Sequence, residues 1–184
     1  FIGGIEFEDE RIPFEDVPKM SPALPFNQIP VLEVDGEVVS QSTAILRYAG
    51  ILSGLYPMTD MLAAFRVDGV FTLIDEMYNC PEWRASTKEQ DSVKLEKMRE
   101  ALATGVITTT LSSLEKLVAQ YNAPYAIGAD LTVADLAIYT LVLTQKSGKP
   151  GIPSTITDPY QNLQRVFNLV KTHPKVVEWN AAHE

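Results

Sequence analysis

Phe26-Asn27-Gln28-Ile29-Pro30-Val31-Leu32 is the stretch on which the fold turns. A proline donates no ladder hydrogen bond, so Pro30 at the mouth of an apolar run belongs at a strand start or a sheet edge. A cis Ile29–Pro30 bond would turn the Ile29 N–H and C=O outward, where an extended peptide can pair with them. An ordinary trans proline opening a strand is the commoner case, since about 5–6% of X–Pro bonds are cis. Just downstream, Val31-Leu32-Glu33-Val34 and Glu37-Val38-Val39-Ser40 flank Asp35-Gly36, the dipeptide of a two-residue hairpin turn with positive φ.

Upstream of this hairpin, the charged run Glu6–Ile12 is readable only as an edge strand. Downstream, Ser42–Ser53 reads as a helix with Ile45, Leu46, Ala49 and Leu52 on one face and Gly54 as its stop. Ser42 is placed to cap it, and a helix N-terminus beside a serine hydroxyl and the Gln41 amide suits a carboxylate. From Thr59 the texture changes. Leu62–Tyr78 carries Phe65, Gly69, Leu73 and Ile74 at helical spacing, and Lys88–Tyr121 reads as one long helix weakened at Thr108-Thr109-Thr110. Thr132–Thr144, Tyr160–Thr172 and Pro174–Asn180 complete a helical half. The boundary lies at Leu55–Asp60, which contains Pro57, giving domains 1–56 and 57–184.

Fifteen Lys+Arg against 24 Asp+Glu leave a formal charge of −9. That argues against a nucleic-acid binder, which needs clustered cations, and against an anionic membrane surface. No apolar run reaches the roughly 18 residues of a membrane span. The single cysteine, Cys80, excludes an intrachain disulfide and a multi-cysteine zinc site, and points to a reducing compartment. His173 and His183 have no partners at ligand spacing, so no metal is expected. Gly3-Gly4 lacks the following helix and lysine of a phosphate loop. Thr132 and Asp135 have the spacing of a capping box, a folding motif rather than an acid catalyst.

Taken together, Phe26–Leu32, the Glu33-Val34-Asp35-Gly36 turn, Gln41-Ser42-Thr43-Ala44-Ile45, the Thr132/Asp135 box and His173-Pro174-Lys175-Val176-Val177-Glu178-Trp179 resemble the cytosolic glutathione S-transferases. Arg11-Ile12, Val67-Asp68 and Pro81-Glu82-Trp83 resemble the sigma-like class most. The resemblance implies an α/β plus all-α fold, a thioredoxin-like N-terminal domain followed by an α-helical bundle, usually as a homodimer. It implies a cytoplasmic enzyme with glutathione as co-substrate, no separate cofactor, and hydrophobic electrophiles as partners. Gln28, Ile29 and Pro30 would meet the cysteinyl part of glutathione, while Gln41 and Ser42 would hold its γ-glutamyl carboxylate. An acidic residue of the neighbouring subunit meets the γ-glutamyl amine in this family, a role that falls on Asp75 or Glu76. Tyr78 and Trp83 would line the electrophile pocket, and Phe26 occupies the place of an aromatic that plugs into the partner subunit in some classes.

Three departures accompany the resemblance. Residues 1–4 match the end of the family's first helix, so the first strand, that helix and the catalytic Tyr, Ser or Cys are expected upstream of Phe1. Val17 and Ser21 stand where the sigma-like pattern has glutathione-contacting Trp and Lys, with Lys19 nearby as a substitute. Asn27 stands where glycine is common. A non-catalytic ligand-binding or structural protein of the same fold, and a glutathione-dependent isomerase, are the alternative functions.

Overall fold

The computed structural model describes residues 1–13 and 15–183. The chain divides into two compact units, Phe1–Tyr56 and Pro57–Glu184.

In the first unit, the edge strand expected at Glu6–Ile12 does not form, and these residues run without regular structure. Four carboxylates in seven residues (Glu6, Glu8, Asp9 and Glu10), all exposed, offer no apolar face to pair. A short helix α1 (Val17–Met20) and two 3₁₀ turns, Ser21–Ala23 and Pro25–Asn27, follow, each opened by a proline whose fixed φ suits a helical start. Strands β1 (Val31–Val34) and β2 (Glu37–Ser40) pair antiparallel, from Val31↔Ser40 to Val34↔Glu37. Asp35 and Gly36 have φ of 51° and 82°, the two positive values that a tight hairpin turn matching strand twist requires. Helix α2 (Ser42–Leu52) then ends where the Ser53 hydroxyl donates to the Ala49 carbonyl at 2.7 Å, and Gly54 leaves with φ 71°.

Apart from its connecting loops and an isolated bridge between Lys149 and Ile152, the described part of the second unit is helical. Helix α3 (Met61–Asn79) is capped by Asp60, whose carboxylate accepts from the Leu62 and Ala63 N–H groups at 3.0 and 2.9 Å. Its buried stripe is Val67, Val70, Phe71 and Met77, not the expected Phe65, Gly69, Leu73 and Ile74. The helix carries two apolar stripes, and the second lines a surface groove with residues of a later helix instead of entering the core. Helix α4 (Pro81–Ser86) and α5 (Ser92–Leu102) precede a π turn, Ala103–Ile107, and α6 (Thr108–Tyr121). The single long helix expected over Lys88–Tyr121 is therefore two. The break falls at Gly105 (φ −103°, ψ −108°), and the Thr108 hydroxyl closes it by donating to the Ala103 carbonyl at 2.6 Å.

Helix α7 (Val133–Lys146) is the hub, packed against α3 and against α8 (Gln161–Lys171); α9 (Pro174–His183) closes the chain. The core lies around Ile107, Leu111, Leu114, Ile138, Val142 and Leu163, each fully buried. Asp135, also fully buried, accepts from the Ala126 N–H at 2.6 Å and from the Thr132 N–H and hydroxyl at 2.8 and 3.0 Å. These bonds complete the capping box and pin the preceding loop. Glu115 on α6 does the same for α8 from across the bundle, accepting from the Asn162 and Leu163 N–H groups at 2.9 and 3.0 Å. Among the described residues no helix is long and apolar enough to cross a membrane.

Candidate functional site

The junction between the second 3₁₀ turn and β1 is shaped by unusual backbone. Phe26 and Asn27 both have positive φ, 56° and 54°. Asparagine tolerates the left-handed region better than most residues, which is how Asn27 serves where glycine would be usual. The Ile29–Pro30 bond is cis. Among the described residues neither the N–H nor the C=O of Ile29 finds a backbone hydrogen-bond partner, and Ile29 is exposed.

At the other end of β2, Gln41 adopts φ 82° and ψ 106°, a conformation that costs a non-glycine residue about 1–3 kcal/mol. Gln41, not Ser42, is the N-cap of α2, and no side chain caps the helix. Ser42 is its first helical residue because the turn is made one position earlier, at Gln41. The first amides of α2 are thus left without a side-chain acceptor, and the positive end of the helix is open. The Gln41 side-chain amide donates to the Gln28 side-chain oxygen at 3.2 Å, tying the two motifs together across thirteen residues of chain. Gln28, Ile29, Pro30, Gln41 and Ser42 are all exposed. Lys19, by contrast, spends its ammonium on Asp16 at 2.6 Å. Nothing in the sequence announced the positive φ of Gln41 or its bond to Gln28: both arise where a strand must turn sharply into a helix.

In the helical unit, Asp75 and Glu76 are exposed neighbours on α3. Tyr78 and Trp83 meet edge to face, 4.8 Å between centroids at 89°. Burial pushes the Tyr78 hydroxyl above its ordinary value, against hydrogen bonds from Gln145 and Thr144 that pull it down. The Gln145 amide donates to that hydroxyl at 3.5 Å, so the phenol is directed toward α7. Cys80 caps α4, its Sγ accepting from the Trp83 N–H at 3.4 Å. No group of three or more metal-ligating side chains occurs among the described residues.

Comparison with known proteins agrees in both units. A family model described as the N-terminal domain of glutathione S-transferase matches residues 2–50. A second, described as the C-terminal domain of glutathione S-transferase, matches residues 78–183. Glutathione S-transferase 1 of Ascaris suum is 35% identical over 182 residues, covering 97% of this chain and 84% of that protein. Hematopoietic prostaglandin D synthase of Gallus gallus is 31% identical over 176 residues, 96% of this chain and 83% of its own. The crystal structure of the glutathione S-transferase from Ascaris lumbricoides matches with a TM-score of 0.81 at 31% identity, covering 100% of this chain and 87% of that one. The fold class is the expected one, a thioredoxin-like N-terminal domain followed by a helical domain.

Proposed function

This chain belongs to the glutathione S-transferase family and is an enzyme of that type; we propose that it conjugates the glutathione thiolate to hydrophobic electrophiles, using the residues around Pro30 and Ser42 to hold the peptide. The observation that carries this reading is the Gln28–Gln41 bond, which sets an unpaired Ile29 backbone and an uncapped helix end at one junction. Ile29 offers one N–H and one C=O to the cysteinyl unit in strand-like pairing. The γ-glutamyl carboxylate sits on the first amides of α2, with the Ser42 hydroxyl and Gln41 amide as further donors.

Asp75 and Glu76 of a second copy supply acceptors for the γ-glutamyl amine, and Lys19 is a secondary contact that must first leave Asp16. A hydrogen-bond donor near the sulfur favours its ionised form. The thiolate then forms a carbon–sulfur bond at the electrophilic carbon while the leaving group departs with its bonding pair. Tyr78 and Trp83 present aromatic surface to the electrophile. The enzyme works in the cytoplasm.

A homodimer belongs to the same reading. The groove between α3 and α6 is lined by Leu62, Phe65, Arg66, Leu73, Leu117 and Tyr121. Phe65 in the groove and Met61, next to Leu62 in the chain, are 75% and 84% exposed, apolar side chains that a partner can cover. Phe26, 73% exposed, is the side chain that a second copy offers to it. Phe65→Glu should convert the dimer to monomer in sedimentation, and a monomeric parent would remove this element.

Calorimetric titration with glutathione tests the site. The parent should bind, and Ser42→Ala should weaken binding by about tenfold, the loss of one hydrogen bond to a charged group. A parent that neither binds glutathione nor is retained on immobilised glutathione would sink the reading. A second reading, glutathione-dependent isomerisation, is favoured by the likeness to a protein named prostaglandin D synthase. Product analysis separates the two, because isomerisation returns glutathione unconsumed.

A further inference from the structure

Helices α4 and α5 differ from the rest of the helical unit. Between Pro81 and Ala101 only Ser86 is buried, and Leu102 is the one buried side chain of α5. The segment is nevertheless held together internally. Asp91 caps α5 by accepting from the Lys94 N–H at 2.8 Å, and the Lys94 ammonium pairs with Glu89 at 2.5 Å. It is bounded by two breaks in the helical backbone. Cys80, with ψ 152°, is the single extended residue between α3 and α4, and Gly105 interrupts the π turn beyond α5.

Among the described residues α4 packs on α3, Trp83, Leu95 and Met98 are half-buried, and specific contacts fasten the segment to its surroundings. Trp83 lies against Tyr78, and the Arg84 guanidinium donates to the Asn79 side-chain oxygen at 2.8 Å. A further fastening is Gly151, which has φ 85° and sits against α5. A Cβ there would overlap the Glu96 carbonyl oxygen and lie 2.9 Å from the Arg99 Cβ.

We propose that α4 and α5 form a flap that swings as one body about Cys80 and Gly105, is latched at Gly151, and parts Trp83 from Tyr78 when it opens. Resting on the transferase reading, in which these two aromatics line the electrophile pocket, the flap admits the hydrophobic co-substrate and closes over it. A rigid, internally stapled segment with almost no buried side chains is the kind of unit that opens at a free energy well below global unfolding.

Cys80 provides the probe, being the sole thiol and lying at the first hinge. Cys80 is half-buried, and opening breaks the Trp83 N–H···Sγ contact and increases the access of an aromatic disulfide reagent to the sulfur. In the full chain the labelling rate should be independent of urea below the unfolding transition. Gly151→Ala should raise it about tenfold while far-ultraviolet circular dichroism is unchanged, and acrylamide quenching of Trp83, read in a Trp179→Phe background, should rise with it. If Gly151→Ala does not fold, Asn79→Ala removes the exposed Arg84 contact and should give the same selective increase. S-hexylglutathione, a hydrophobic conjugate, should slow labelling about tenfold.

A Cys80 rate that tracks global unfolding in urea, or that ignores both substitutions, would overturn the flap. A flap that responds to the substitutions but not to the bound conjugate would overturn its role in admission. Glutathione titration of the same samples keeps the two readings apart, because loss of glutathione binding strikes the transferase reading and leaves the urea and variant responses standing.

Discussion

The two units of this chain are organised on opposite principles. Every buried apolar residue with a large side chain belongs to Pro57–Glu184, whereas among the described residues of Phe1–Tyr56 only Ser40 and Gly50 are buried. Conversely, among the described residues four of the five non-glycine residues with positive φ, Phe26, Asn27, Asp35 and Gln41, lie in the first unit, as does the cis Ile29–Pro30 bond. The helical unit is held by packing, which fixes helices but leaves backbone groups paired and chemically silent. The smaller unit leaves the Ile29 N–H and C=O without a backbone partner among the described residues and α2 without a side-chain cap, and departs from the easiest conformations there. Buried packing and unusual backbone geometry are thus concentrated in different stretches of sequence.

The largest expected effect sharpens that contrast. Leu163→Ala, at a fully buried position on α8, should lower the unfolding free energy of the helical unit by about 3–5 kcal/mol in urea denaturation while leaving glutathione affinity within twofold. An equal loss of affinity would show that recognition depends on the helical core.

Next is Asp135→Asn, which turns an acceptor of three bonds into a side chain with an unwelcome donor. About 2–3 kcal/mol should be lost, again from the helical unit. Burial pushes the Asp135 carboxyl above its ordinary value, so the native state holds this proton more tightly than the unfolded chain does. The contribution of this group is therefore fullest below the ordinary carboxylate value and declines as pH rises through the raised one. Urea denaturation across that window should show the parent's advantage over Asp135→Asn narrowing with rising pH. A widening advantage would mean that the three donors outweigh burial.

The smallest effect belongs to the first unit. Gly36→Ala places a Cβ at φ 82° in the hairpin turn and should cost about 1 kcal/mol, read as a lowered melting midpoint for that unit alone. A loss as large as that at Leu163 would mean that the hairpin is no local structure, and the comparison would fail.

Much of this was legible in the residues. Asp35-Gly36 specified the hairpin and its turn, Thr132 with Asp135 specified the start of α7, and Gly54 marked the end of α2, because each is a local rule with a local cause. Other features were not legible, and for a common reason. Phe65 reads as a core residue of α3 yet is exposed, since periodicity gives two apolar stripes without saying which one the bundle covers. Ser42 reads as a cap yet lies inside the helix, since the turn one residue earlier is decided by how β2 must join α2. Glu115, which no local pattern marks, accepts at the start of α8 from the Asn162 N–H, forty-seven residues away.

What the sequence determined by itself is the hairpin, the start of α7 and the family to which the motifs belong, all written in contacts of a few residues. What only the tertiary structure decided is which amides stay unpaired, where Gln41 turns, and that Gln28 reaches it. Those depend on distances between residues far apart in the chain, which local preference does not encode.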